Sequence, residues 1–431
     1  MNRALVGIVL LAASQLTAAY PLDGYPYTGI RRLEFYRLAQ TGVISGRQLE
    51  PGAQLPMAKV MPRWHDPLVL QQKPDRELNE KIRRMLGQEH DRYGVALLDL
   101  SDPDRPRYAE HNGGMRANVG SVGKLLVALA VFQKLADYYP EDVAARERVL
   151  RKSEVVADRF ILYDEHKVPL WDIDERRLQH RQLRLGDTGS LWEYLDWMLS
   201  ASSNAAASTV MKQLLLISHF GRQYPVSDAR VSEFLGNTSP GELGAILTES
   251  MSDALVRNGL DPEQLNQGSF FTREGKRRVS GTSSYGTPRE LVKFLLLLES
   301  ESLIDAFSSR EIKRLIYMTQ KRIRYASHPA LSEAAVYFKS GSLYSCVPEP
   351  DFVCGKYKGN RVNRLASVAI IESPAGDPKY HYLVAVMSNV LRKNSAVAHQ
   401  TLAMRIHRMI EAEHRAAVRP EPTEQGVNSG F

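Results

Sequence analysis

Ser121 and Lys124 lie three residues apart in the stretch "ANVGSVGKLLVALAVFQKL", residues 117–135. On a helix that spacing places both side chains on one face, so the amine can reach the hydroxyl. The helix behind them carries Leu125, Leu126, Val127, Leu129, Val131 and Phe132, leaving almost no polar side. Such a helix is expected in the middle of a domain, where a lysine must be exposed, paired or used. Burial disfavours the ammonium form, and a neutral lysine can take the serine proton and leave a nucleophile. The helix N-terminus adds backbone N–H groups for a developing negative charge. The competing reading makes Ser121 a helix cap and Lys124 a snorkelling surface residue.

Two further stretches bear on that choice. "LSASSNAAASTV" places Ser202-Ser203-Asn204 where one helix stops and another begins; serine and asparagine also serve there as simple caps. "YFKSGSLYS" places Lys339-Ser340-Gly341 on a strand; the alternative is an edge strand with a guarding lysine and a bulge glycine. Taken in order, the pattern is S-x-x-K, then S-x-N, then K-[ST]-G, on helix, helix junction and strand.

In these motifs the sequence resembles the serine β-lactamase and penicillin-binding superfamily, most closely class A β-lactamases and related serine hydrolases. The resemblance runs from about Asp75 to His414. It extends to "VALLDL" as a first strand, "YGTPRELVKFLLLLES" as the helix before the K-[ST]-G strand, and "AVMSNV" as the last strand. It implies that Ser121 is acylated, that Lys124 is its base, and that Ser202 relays a proton to the leaving nitrogen. It further implies that Asn204 holds the substrate's side-chain amide, that Lys339 and Ser340 bind its carboxylate, and that Gly341 lets its backbone approach. The backbone N–H groups of Ser121 and Ser342 would form the oxyanion hole. No metal or organic cofactor is implied.

The resemblance breaks at one place. Class A enzymes activate the deacylating water with a glutamate in an E-x-x-L-N loop. The nearest stretch is "DPEQLNQ", residues 261–267, where Glu263 lies too near Leu265-Asn266 and Asp261 one residue too far. Either is a candidate base, and the stretch also reads as a short surface turn. The segment from Arg159 to Gly189 reads as an insertion at the rim of the site.

The elements that must position these residues form an α+β pattern. Strands are expected at 93–101 and again after about Val336, with helices through the middle of the chain. The two ends would close into one antiparallel sheet flanked by helices, with an inserted all-helical region. The chain has 431 residues, enough to bury a core without staples. Residues 1–19 read as an export signal, with a basic start and an apolar run too short to span a membrane. Residues 20–74 read as an extension or linker outside the core domain, 75–415 as the hydrolase domain, and 416–431 as a disordered tail. Cys346 and Cys354 bracket a proline-containing loop, and an oxidising compartment favours a disulfide between them over two free thiols. The net charge of +7 is scattered, and the basic runs lack interleaved aromatics, which argues against nucleic-acid binding. An exported, periplasmic or secreted monomer is expected, with no stable membrane anchor. Its partner would be a small molecule, a β-lactam or a peptidoglycan-type peptide. A D,D-peptidase or esterase of the same fold, and a non-catalytic binding protein, remain as alternatives.

Overall fold

The structure, a computed structural model, describes residues 23–71, 73–319 and 322–417. The expected export signal and most of the expected disordered tail lie outside the described residues. Nine strands are described: β1 (Tyr93–Asp99), β2 (Arg107–His111), β3 (Glu154–Val156), β4 (Val168–Asp172), β5 (Arg177–Arg181), β6 (Thr188–Ser190), β7 (Ala335–Ser345), β8 (Val362–Ser373) and β9 (Tyr380–Asn389). Five of them form one antiparallel sheet in the order β2-β1-β9-β8-β7. The pairing of β1 with β9 joins the two ends of the chain, as the strand pattern predicts.

Every residue of β1 is buried, because helices cover both faces of the sheet. Ala96 and Leu98 point into the larger core and Val95 and Leu97 into the smaller one, the period-two alternation of a pleated strand. The smaller core lies under the helices Arg76–Leu86 and Ser395–Ala417. The larger core lies under the helical body. There the Lys124–Tyr138 helix is surrounded by Leu191–Leu199, Asn204–Phe220 and Pro240–Arg257. That enclosure explains why it is apolar on all sides.

Two expectations need revision. The middle of the chain is not all helical, since it carries two small sheets, β3 with β6 and β4 with β5. The β4–β5 hairpin lies within the insertion, whose run of exposed charged residues hides its strands from a hydrophobic pattern. Residues before 74 do not stand off as a linker. Ile30, Leu33 and Val60 are fully buried in the larger core, and Arg32 makes a two-pronged ion pair with buried Asp196 at 2.6 Å. Apolar residues spaced irregularly among prolines carry no periodic signal, so their burial is not legible beforehand.

Candidate active site

The chain reaches Ser121 through a single 3-10 turn, Gly120–Gly123, and becomes α-helical at Lys124. Gly120 adopts φ +55°, a conformation that favours glycine. The turn aims Ser121 out of the helix start while Lys124 points inward and is wholly buried. Lys124 Nζ lies 3.1 Å from Ser121 Oγ, 2.6 Å from the Ser202 carbonyl, 2.8 Å from Asn204 Oδ1 and 3.5 Å from Ser202 Oγ. Burial pushes its pKa down to about 7; the Asp164 carboxylate opposes that fall and Arg324 adds to it. The amine is therefore available in its neutral form near neutral pH. The surface-snorkelling reading of Lys124 does not hold.

Ser202 sits at the junction between two helices with φ +58°. The left-handed turn presents both its carbonyl and its hydroxyl to the cleft. The neighbour Ser203, not Ser202 or Asn204, is the cap of the Asn204–Phe220 helix, accepting from the Ala206 N–H. Asp164, from the insertion, reinforces the junction by accepting from Ser203 Oγ and the Ala205 N–H. Burial alone would raise this carboxyl, but bonds from His166 and Ala205 outweigh it and hold the pKa at about 2.

The third wall is the edge strand β7. Lys339 is 3% exposed, and its amine donates to Ser202 Oγ at 2.8 Å and to the Ser340 carbonyl at 3.1 Å. Burial, then the charges of Lys124 and Arg324, depress its pKa well below the ordinary lysine value. A Cβ at Gly341 would fall 2.1 Å from the Val119 carbonyl oxygen and 2.3 Å from the Ser121 nitrogen. The strand can lie this close to the serine turn only with glycine at that position. The backbone N–H groups of Ser121 and Ser342 are thereby brought to one locality. Ser121, Ser202, Asn204, Lys339, Ser340 and Ser342 all line one cleft of about 520 Å³.

Arg324, which sequence reasoning passed over, lines the same cleft. Its guanidinium donates to Ser340 Oγ at 2.6 Å, to Ser342 Oγ at 3.3 Å and to the Tyr357 hydroxyl at 2.8 Å. It lies in the short run "KRIR", where composition alone gives no sign of a shared cleft.

Glu263 and Asp261 are not brought to the serine. Both are exposed, and neither lines the cleft. Asp261 accepts from the Glu263 N–H, as in a surface turn. The same loop instead delivers Gln267, which is 3% exposed and lies against Gly123. Its amide donates to the Ser269 carbonyl, and its Oε1 has no hydrogen-bond partner. Among the described residues lining the cleft there is no aspartate or glutamate.

Residues 77–408 match the sequence profile of the beta-lactamase enzyme family. The chain belongs to that family. No curated protein matches it. Among solved structures, a class A beta-lactamase from Bacteroides cellulosilyticus is similar at 15% identity and a TM-score of 0.50, covering 80% of this chain and 99% of the other. The TLA-3 extended-spectrum beta-lactamase is similar at 16% identity and 0.49, covering 78% and 98%. PBP-A is similar at 12% and 0.49, covering 79% and 98%. At these identities the likeness concerns the fold. Membership makes this a serine β-lactamase or penicillin-binding type of hydrolase, with an antiparallel sheet and flanking helices of the expected kind. Cys346 and Cys354 are bonded. Among the described residues no helix is long and apolar enough to cross a membrane.

Proposed function

We propose that the protein is an exported serine hydrolase whose Ser121 is acylated by β-lactams or related amides, and that water releases the acyl group slowly. The observation that carries this reading is the chain of contacts from Ser121 Oγ to Lys124 Nζ, and through Ser202 Oγ to Lys339 Nζ. In the reaction, neutral Lys124 takes the Ser121 proton as Oγ bonds to the substrate carbonyl. The carbonyl oxygen becomes an anion facing the N–H groups of Ser121 and Ser342. As the anion collapses, the C–N bond breaks, and Ser202 passes a proton from Lys124 to the departing nitrogen. Lys339, Ser340 and Arg324 bind the substrate carboxylate, and Asn204 holds the acyl side-chain amide. A non-catalytic binding protein would gain nothing from a buried lysine held near neutral pKa, whose desolvation costs stability.

Release of the acyl group needs a base for water. No described carboxylate lines the cleft, so the second half-reaction should lag the first by about 10²–10⁴-fold, the usual contribution of a general base. That favours a cell-wall D,D-peptidase or esterase, with β-lactams as trapped mimics, over a fast β-lactamase. The test is benzylpenicillin followed by intact mass. A persistent adduct on Ser121 is expected; Ser121→Ala abolishes it and Lys124→Ala slows its formation at least about 100-fold. Rapid turnover without an adduct would mean an efficient β-lactamase. Neither adduct nor turnover would overturn acylation by penicillins.

A further inference from the structure

The charge along the cleft is one-sided. Lys167, Lys276, Arg324, Lys339 and Lys356 all line it, and no described aspartate or glutamate does. Arg324 and Lys339 lie on the β7 wall, committed to Ser340, Ser342, Tyr357 and Ser202. Lys167 and Lys276 belong to another wall. Lys167 comes from the insertion, three residues after the Asp164 that secures the Ser203–Ala205 junction. Lys276 comes from the Arg273–Arg278 helix, which packs on the Arg159–Ile161 turn at the start of that insertion. Both lysines are exposed.

The acids that pack beside this wall are engaged elsewhere, apart from exposed Glu165, which forms no ion pair among the described residues and does not line the cleft. Asp164 is engaged by Ser203, Ala205 and His166. Glu274 is engaged by Arg277 and Arg278. Asp158 is engaged by Lys212. Neither Lys167 nor Lys276 has an ion-pair partner among the described residues. Two uncompensated cations at the rim of a concave site raise its potential and attract an anion entering it.

We infer that the substrate carries a second anionic group, a carboxylate on its acyl side beyond the amide that Asn204 holds, and that Lys167 and Lys276 recognise it. The inference rests on the proposed acylation of Ser121. It narrows the substrate class to amides with at least two carboxylates, one on the β7 side and one on the side of the insertion. An acidic cell-wall peptide fits that description better than a neutral or cationic acyl chain.

Three penicillins that differ only at the acyl side chain provide the test: benzylpenicillin, its α-carboxy derivative and its α-amino derivative. The readout is the second-order rate of adduct formation with the full-length protein at low and high salt. The α-carboxy compound should react about tenfold faster than the α-amino compound at low ionic strength, and the gap should close in concentrated salt. K167E/K276E should reverse that order. Equal rates for the three compounds, with adducts forming normally, would overturn the inference and leave acylation standing.

A second measurement does not depend on acyl transfer. Two dye-labelled peptides, identical except that one carries glutamates where the other carries glutamines, are titrated into the Ser121→Ala variant and followed by anisotropy. The acidic peptide should bind about tenfold more tightly, and K167E/K276E should remove the difference. Equal affinities would overturn the inference even if no penicillin reacts.

Discussion

Lys124 links the chemistry to pH. In the proposed reaction the base is the neutral amine, whose pKa is pushed down to about 7. The rate of acylation by benzylpenicillin should therefore rise with pH through about 7 and level off above it. Asp164 favours the ammonium form, so Asp164→Asn should move the midpoint of that profile to lower pH. A profile with no inflection near 7 would show that another group is the base. Gln267 lines the cleft where the other half-reaction can be probed. Its Oε1 is buried without a partner beside Gly123, two residues after the serine, but an amide cannot take a proton from water. Gln267→Glu should shorten the life of the Ser121 adduct by at least about tenfold, read as decay of the adduct mass after excess penicillin is removed. An unchanged lifetime would place the water elsewhere. At this scale the sequence was legible where chemistry and spacing coincide. Ser121 with Lys124, Ser202 with Asn204, and Lys339 with Ser340 each sit within one turn or one strand, so spacing translates directly into a shared wall. Arg324, Gln267 and Asp164 were not legible, because each arrives from an irregular loop. Arg324 turns in through φ +54°, and no periodicity announces such a turn.

Among the elements, β7 runs directly into the disulfide-closed loop at its C-terminal end. Cys346 comes directly after its last residue, and Cys354 precedes Lys356 and Tyr357, which line the cleft. The disulfide closes this short loop, and the Tyr357 hydroxyl accepts from Arg324. Cys346→Ser with Cys354→Ser should cost about 2.5 kcal/mol on the chain-entropy account. It should also weaken binding of the substrate carboxylate by loosening Tyr357 and Arg324. Urea denaturation reads the first effect, and the concentration dependence of acylation reads the second. Unchanged values in both would confine the bond to a surface role. The Pro288–Glu299 helix was legible as an element from the stretch "YGTPRELVKFLLLLES"; Thr287 caps it by accepting from the Glu290 N–H, and Pro288 opens its first turn. The β4–β5 hairpin was not, because its outward residues are charged and its contacts are tertiary.

Across the whole molecule, residues before the sheet are tied to it by a buried ionic cluster. Lys313 lies 2.8 Å from Glu299 and 2.6 Å from Glu372, and Arg63 reaches Glu372 at 3.0 Å. Tyr337 donates to Glu372 at 3.1 Å. Glu299, Glu372 and His381 are close enough to resemble a metal-binding set, but the Lys313 ammonium already bridges the two carboxylates. Burial would raise the Glu299 pKa; the Lys313 charge overrides it and the value falls below 4.5. A depressed carboxyl stabilises the fold above its unfolded pKa, and that contribution is lost as pH falls through the folded value. Lys313→Met should cost about 3–5 kcal/mol by leaving two carboxylates without their cation. The loss should be largest near neutral pH and shrink as pH falls, because Glu299 without Lys313 is no longer held low, measured as urea stability by circular dichroism at several pH values. A neutral effect on both would show that water reaches the cluster.

The pairing of β1 with β9 also has a consequence for how the chain is made. Roughly 280 residues separate the end of one strand from the start of the other. At about 5–20 residues per second, β1 leaves the ribosome some fifteen to sixty seconds before its partner exists. During that interval an apolar strand has one long side unsatisfied, which is a template for association with other nascent chains. A chain whose central sheet waits for a strand made so much later is poorly matched to folding segment by segment as it emerges, and depends on β1 being shielded until β9 arrives.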